Sequence, residues 1–137
     1  MSIRVDLLPG ALMGQYVRIG QHHLCADLPR DEGGGDLGPS PHDLYDAALG
    51  ACKALSILWF ARRRGIPVED VSVVVDRDAA HEHEGKYRLH SVLDVSGPLT
   101  TAQREELAYE AARCPIQRLM TEVDTEITTE LSLGGGA

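Results

Sequence analysis

The chain has 137 residues, 43% of them hydrophobic and 25% charged, with only 4% aromatic and a formal net charge of −8. This balance fits one soluble globular domain with a core of Leu, Val, Ile and Ala, and it excludes disorder as the dominant state. The acidic surplus argues against a general phosphate-binding surface, so no nucleic-acid partner is expected.

The opening residues Met1–Asp6 lack a basic region followed by an apolar one, so no signal peptide is expected. No run of ~18 uncharged apolar residues offers a membrane span. A reducing, cytoplasmic setting is the default, and there the three Cys are thiols rather than a disulfide framework. A single domain over residues 1–137 is expected, with a flexible Gly-rich tail at 134–137. A lean core in so short a chain leaves room for a dimer.

In chain order, Ile3, Val5 and Leu7 alternate with polar residues as a short strand. Met13–Ile19 and His22–Leu28 flank Gly20-Gln21 as a hairpin. Residues 29–41, rich in Gly, Pro and Asp, form a long loop of a kind that is often functional. Gly33-Gly34-Gly35 within it lack the strand-Gly-helix context and the Lys of a phosphate cradle.

Pro41 opens a helix that carries Asp43 and Asp46 near its start, Arg62, Arg63 and Arg64 near its end, and Gly65 just after. Between Ala47 and Ala61 only Gly50, Lys53 and Ser56 interrupt the apolar character, which predicts burial around most of the helix. Leu44, Ala48, Cys52, Leu55 and Trp59 share one apolar face.

Pro67 ends that region, and Val71–Val75 reads as a buried strand. Asp76–Gly85 reads as a polar hairpin connection. In the strand Tyr87–Val95, Tyr87, Leu89, Leu93 and Val95 face one way. Thr100 and Gln103 form a capping box for a helix to about Arg113. Cys114-Pro115 starts a short helix with Cys114 at the N-cap. Val123, Thr125, Ile127, Thr129 and Leu131 alternate as a final strand. The order β-β-β-α-β-β-α-α-β is that of an α+β domain.

From pattern alone, Cys52 stays open between a packed core thiol and a reactive one. Cys114 sits where unpaired N–H groups and the helix macrodipole favour a thiolate. The separation of the two cysteines is no zinc motif, and there is no CxxC. Cys25 reads as packing or surface. His81-Glu82-His83 reads as a solvated loop, and His22 and His23 point to opposite sides of their strand, so no metal site is expected.

Gly38-Pro39-Ser40-Pro41-His42-Asp43-Leu44, running into Leu49-Gly50-Ala51-Cys52, resembles the OsmC/Ohr family of osmotically inducible and organic hydroperoxide resistance proteins. Arg62-Arg63-Arg64-Gly65, Leu99-Thr100 through Gln103-Arg104, and Arg113-Cys114-Pro115-Ile116 fit the same family. The resemblance covers about residues 25–132. It implies an intertwined homodimer, with sheets wrapped around long central helices and two active sites at the subunit interface. It also implies thiol peroxidase chemistry without a metal or organic cofactor. Cys52 would be the peroxidatic thiol and Cys114 the resolving one. An organic hydroperoxide would be the substrate and an external dithiol the reductant.

The Ohr branch carries a Glu after the helix-opening Pro and an N-terminal Arg that polarises the thiolate. Here His42 stands at that first position and Asp43 follows it. For that Arg the sequence offers candidates rather than a matching position, Arg18 in the N-terminal hairpin and Arg30 in the loop, and His42 or Lys53 could substitute in part. The pattern is that of the broader OsmC-like branch. The alternative is a module of the same fold that binds a small apolar molecule or senses redox state.

Overall fold

The computed structural model describes residues 1–133; the Gly-rich tail expected at 134–137 lies outside them. Three antiparallel strands come first: β1 (Ile3–Leu7), β2 (Gln15–Ile19) and β3 (His22–Ala26), in the sheet order β1-β2-β3. The turn between β2 and β3 is Gly20-Gln21, with Gly20 at φ +61°. A long loop follows, then helix α1 (Pro41–Arg64). A two-stranded antiparallel sheet, β4 (Asp70–Asp78) and β5 (Arg88–Ser96), leads to α2 (Thr101–Ala112) and α3 (Pro115–Thr121). This is the expected α+β domain.

Local chemistry sets the helix ends. The Ser40 hydroxyl accepts from the Asp43 N–H while the Asp43 carboxylate accepts from the Ser40 N–H, closing a capping box in front of Pro41. Gly65 ends α1 in the left-handed region at φ +66°. Thr100 and Gln103 close the same box at α2, as the sequence predicts, and Cys114 is the N-cap of α3.

The loop from β3 to α1 is held by Asp27, only 4% exposed, whose carboxylate accepts the N–H groups of Leu28, Gly35 and Leu37. These bonds keep its carboxyl below the usual carboxylate range. Gly34 lies so close to this anchor that an added Cβ would sit 2.0 Å from the Leu28 carbonyl oxygen.

The core joins Ile57 and Ala61 of α1, Ile66, and Leu107 and Ala111 of α2, with Val71, Leu93 and Val95 packed against them from the sheet. Gly50 lets α1 approach β4: a Cβ there would meet Val75 Cγ2 at 3.1 Å.

Three expectations need correction. Helix α1 is not buried around its circumference: its inward face is Asp46, Leu49, Lys53, Ile57 and Ala61, while Leu55 (65% exposed) and Trp59 (62%) lie open. Periodicity marks a face as apolar but does not say what covers it. Strand β4 is covered on one face only, with Val74 exposed, and it runs on through Asp76 and Arg77 to Asp78, where a loop was expected. The final strand expected at Val123–Leu131 does not form within this chain: residues 123–133 make no strand pairing, because alternation supplies one half of a ladder and the other half must come from a neighbouring edge.

Helix α1 is long and apolar enough to cross a membrane by length and composition. Its buried Asp46 and Lys53, both paired within the protein, mark it instead as the core helix of a globular domain.

Candidate functional site

Helix α1 turns Cys52 and Lys53 to adjacent sides, since successive residues differ by about 100°. Cys52 is half-buried and borders a groove of about 920 Å³ whose walls include Ala48, Leu55, Trp59, Arg113 and Ile116. Lys53 points inward. Cys114 meets the pair from the α2–α3 corner and is only 1% exposed.

The two thiols are neighbours, close enough for Cys52 to act on the ionisation of Cys114. The Cys52 sulfur also accepts the backbone N–H of Ile116 at 3.4 Å. Burial, first, and then the neighbouring Cys52 push the Cys114 thiol up; the Gln117 N–H and the Lys53 charge work against that rise without cancelling it. The arrangement places a half-open sulfur toward an apolar groove and a closed sulfur directly behind it. Chemically it suits two thiols that exchange bonds with each other. Pro115 contributes by ending α2 and starting α3 at once, which turns Cys114 back toward α1.

His42 and Asp43 are held elsewhere. His42 Nε2 lies 3.0 Å from the Glu82 carboxylate of the β4–β5 connection, with its ring edge on Tyr87. Asp43 accepts from Arg77 Nη2 at 2.5 Å, and the buried Asp46 accepts from Arg77 Nε at 2.5 Å and from the Tyr87 hydroxyl at 2.7 Å. The Ser40 N–H and then Arg77 keep the Asp43 carboxyl below the usual carboxylate range. Burial and the Asp46 carboxylate push the Tyr87 phenol up to about 12. This cluster clasps the start of α1 to the hairpin. Asp43 is nine residues before Cys52, about 13 Å along the axis.

Arg18 lies on β2, exposed, 3.5 Å from Asp6 and with its guanidinium 5.9 Å from the centre of the Tyr16 ring. Arg30 begins a short turn in the loop. Within one chain, then, Cys52 and Cys114 come together, while His42, Asp43 and Arg18 do not join them. His81 bonds Glu84 at 2.6 Å, and the described residues hold no group of three or more His, Cys, Asp or Glu able to bind a metal.

Four groups escape the sequence reading: Arg77, Tyr87 as a hydrogen-bond donor, Gln117, and the Ile116 N–H. Arg77 carried a usable signal. It continues the inward register of Val71, Val73 and Val75, opposite Leu89 in the ladder.

The chain is similar to several solved structures. A Psychrobacter arcticus protein described as an osmotic stress induced and detoxification response protein superposes with a TM-score of 0.73 at 21% identity, covering 89% of each chain. An organic hydroperoxide resistance protein OsmC from Legionella pneumophila gives 0.64 at 23% identity, over 89% of this chain and 90% of that one. An organic hydroperoxide resistance protein from Bacillus subtilis gives 0.59 at 19% identity, over 89% and 92%. At these identities the likeness speaks for the fold. No curated protein matches the sequence. The profile described as OsmC-like protein matches residues 33–130, a stretch that takes in the Gly-rich loop, α1, both cysteines and α3. The chain therefore belongs to the OsmC-like protein family.

Proposed function

We propose that the chain is a thiol-dependent peroxidase that reduces organic hydroperoxides. The observation that carries this reading is the meeting of the Cys52 and Cys114 sulfurs behind an apolar groove. The family and the organic hydroperoxide resistance proteins among the similar structures support a stress-related role. In the proposed cycle the Cys52 thiolate attacks the distal peroxide oxygen. The O–O bond breaks, the alcohol leaves with a proton, and Cys52 becomes a sulfenic acid. The Cys114 thiolate then attacks that sulfur, the S–O bond breaks, and water and a Cys52–Cys114 disulfide result. An external dithiol returns both thiols. The groove's apolar walls favour a peroxide with a hydrocarbon tail. No metal or organic cofactor enters this cycle, and a cytoplasmic setting supplies the reductant.

The same reading makes the active unit a homodimer. The exposed stripe of Leu55, Leu58 and Trp59 on α1 and the exposed Val74 and Val92 of the β4–β5 sheet are large apolar surfaces for a second copy to cover. A second copy also supplies an edge for residues 123–133, and it is the route by which Arg18 or His42 reaches Cys52. Light scattering is expected to give about twice the 14.9 kDa chain mass.

The test is a count of free thiols before and after one equivalent of organic hydroperoxide. Two thiols are expected to disappear, with peptide mapping showing Cys52 joined to Cys114 and Cys25 free. Cys114→Ser is expected to stop at the sulfenic acid, and Cys52→Ser to leave the peroxide untouched. A bridge that contains Cys25, or peroxide consumption by Cys52→Ser, would overturn the assignment.

A further inference from the structure

Lys53 is a buried cation that the proposed cycle does not use. Its side chain is in the interior, 6% exposed, on the same inward face of α1 as Leu49 and Ile57. Its Nζ donates to the Ala111 carbonyl oxygen at 2.9 Å and to Gln117 Oε1 at 2.5 Å. Ala111 belongs to the last turn of α2 and Gln117 to the first turn of α3, so the two bonds bracket Cys114, three residues from each. Both acceptors are neutral. A buried ammonium with no carboxylate against it is costly, and it gains wherever an anion forms nearby.

We propose that Lys53 serves the resolving thiol: it fixes the α2–α3 corner that carries Cys114 and supplies the positive charge against which Cys114 ionises to attack Cys52. The word resolving rests on the peroxidase reading above; the geometry around Cys114 does not. The resolving step needs an anion to form at a sulfur that is 1% exposed. Water cannot solvate it there, so a fixed charge must. Lys53 acts on Cys114 in the direction that favours the thiolate, opposing burial and the second sulfur.

Several other charged groups surround this corner. Arg113 is bonded to the Tyr109 hydroxyl and Arg118 to Glu122. Glu110 lines the groove of Cys52. On the sheet side, Asp76, Arg77, Asp78, Arg88 and His90 line a groove of about 1030 Å³ together with Lys53 and Gln117; there Arg77 is paired with Asp43 and Asp46 and Arg88 with Asp78, and neither Asp76 nor Asp78 forms an ion pair with Lys53. Cys52 itself, once it carries a sulfenic acid, adds no charge against Cys114.

The test uses the full chain with Cys25→Ser and Cys52→Ser, so that Cys114 is the one remaining thiol, and follows thiolate ultraviolet absorbance against pH. Lys53→Gln and Lys53→Met are each expected to raise the midpoint by about one pH unit, and Lys53→Arg to return it most of the way. A midpoint that stays put in a folded Lys53→Gln or Lys53→Met, or no rescue by Arg, overturns the proposal. If neither neutral variant shows native circular dichroism, Lys53 is a structural brace and the charge assignment is equally overturned.

A second arm uses all three thiols. With one equivalent of organic hydroperoxide, Lys53→Gln is expected to form the Cys52 sulfenic acid at the parent rate but to close the disulfide roughly three- to fourfold more slowly, the tenfold smaller thiolate fraction being partly offset by the greater nucleophilicity of the more basic thiolate. Equal slowing of both steps would overturn the assignment to the resolving thiol. If the parent chain consumes no peroxide while the titration shift is present, it is the peroxidase reading that fails and the charge assignment that holds.

Discussion

The two sides of helix α1 invert the usual expectation. Its inward face carries Asp46 and Lys53, each buried and each satisfied, between Leu49, Ile57 and Ala61. Its outward face carries Leu55, Leu58 and Trp59 in the open, with Cys52 at the margin. The inward polar groups tie α1 to the rest of its own chain: Asp46 to the hairpin through Arg77 and Tyr87, Lys53 to the α2–α3 corner. The outward apolar groups have no such ties. The difference teaches that the inward face specifies one arrangement of this chain, while the outward face is left to the proposed second copy.

The sharpest way to break this contrast is to remove inward apolar volume. Ile57→Ala, at a side chain with 0% exposure, is expected to cost about 2–5 kcal/mol, seen as a lower urea midpoint that does not depend on protein concentration. Trp59→Ser probes the other face. The proposed dimer predicts a loss of about 1.5–3 kcal/mol per protomer that grows on dilution and turns the light-scattering mass toward 14.9 kDa. An effect on stability with no change in mass would mean that α1 covers that face by itself.

Asp46→Ala leaves the Tyr87 hydroxyl and one arm of Arg77 without their partner, with an expected loss of about 1–3 kcal/mol. In the parent, a tyrosinate absorbance step near pH 12 is expected from Tyr87. Because that phenol is raised in the folded state, its contribution is full below the ordinary tyrosine value of ~10 and fades as pH climbs through the raised one. Asp46→Ala should move the step downward and Tyr87→Phe abolish it.

The smallest effect belongs to Ser40→Ala, which loses one half of the α1 capping box, at about 1 kcal/mol. Its partner Asp43 titrates below the ordinary carboxylate range, so the stability it contributes is present above that range and is lost as pH falls through the lowered value. Thermal melts stepped down through the acid range are expected to fall less steeply for Asp43→Asn than for the parent.

What local signals encode was legible. Pro41, Gly65, the Thr100–Gln103 box and the Cys114–Pro115 junction each act within one helical turn of themselves, and each structure they imply is present. The expected alternation of Tyr87–Val95 also matches the one-faced burial of β5. What depends on a distant partner was not legible. Lys53 reads as an interruption of an apolar stretch until Ala111 and Gln117, far along the chain, supply its acceptors. Arg77 reads as loop until the ladder with β5 is extended to Leu89. Residues 123–131 show a face but no neighbour. In the candidate site, the cysteines were found by resemblance; the groups that act on them, the Ile116 N–H and Lys53, follow from how α3 is turned.

The meeting of Cys52 with Cys114 also bears on how the molecule melts. The two residues are 62 positions apart in sequence. A covalent bridge between them would remove a large share of the freedom of the unfolded chain, worth roughly 4 kcal/mol by loop-closure entropy. Oxidant exposure would then be recorded as heat resistance: the oxidised molecule should melt many degrees above the reduced one, and a melting curve taken from cells under stress would report how much of the population has reacted.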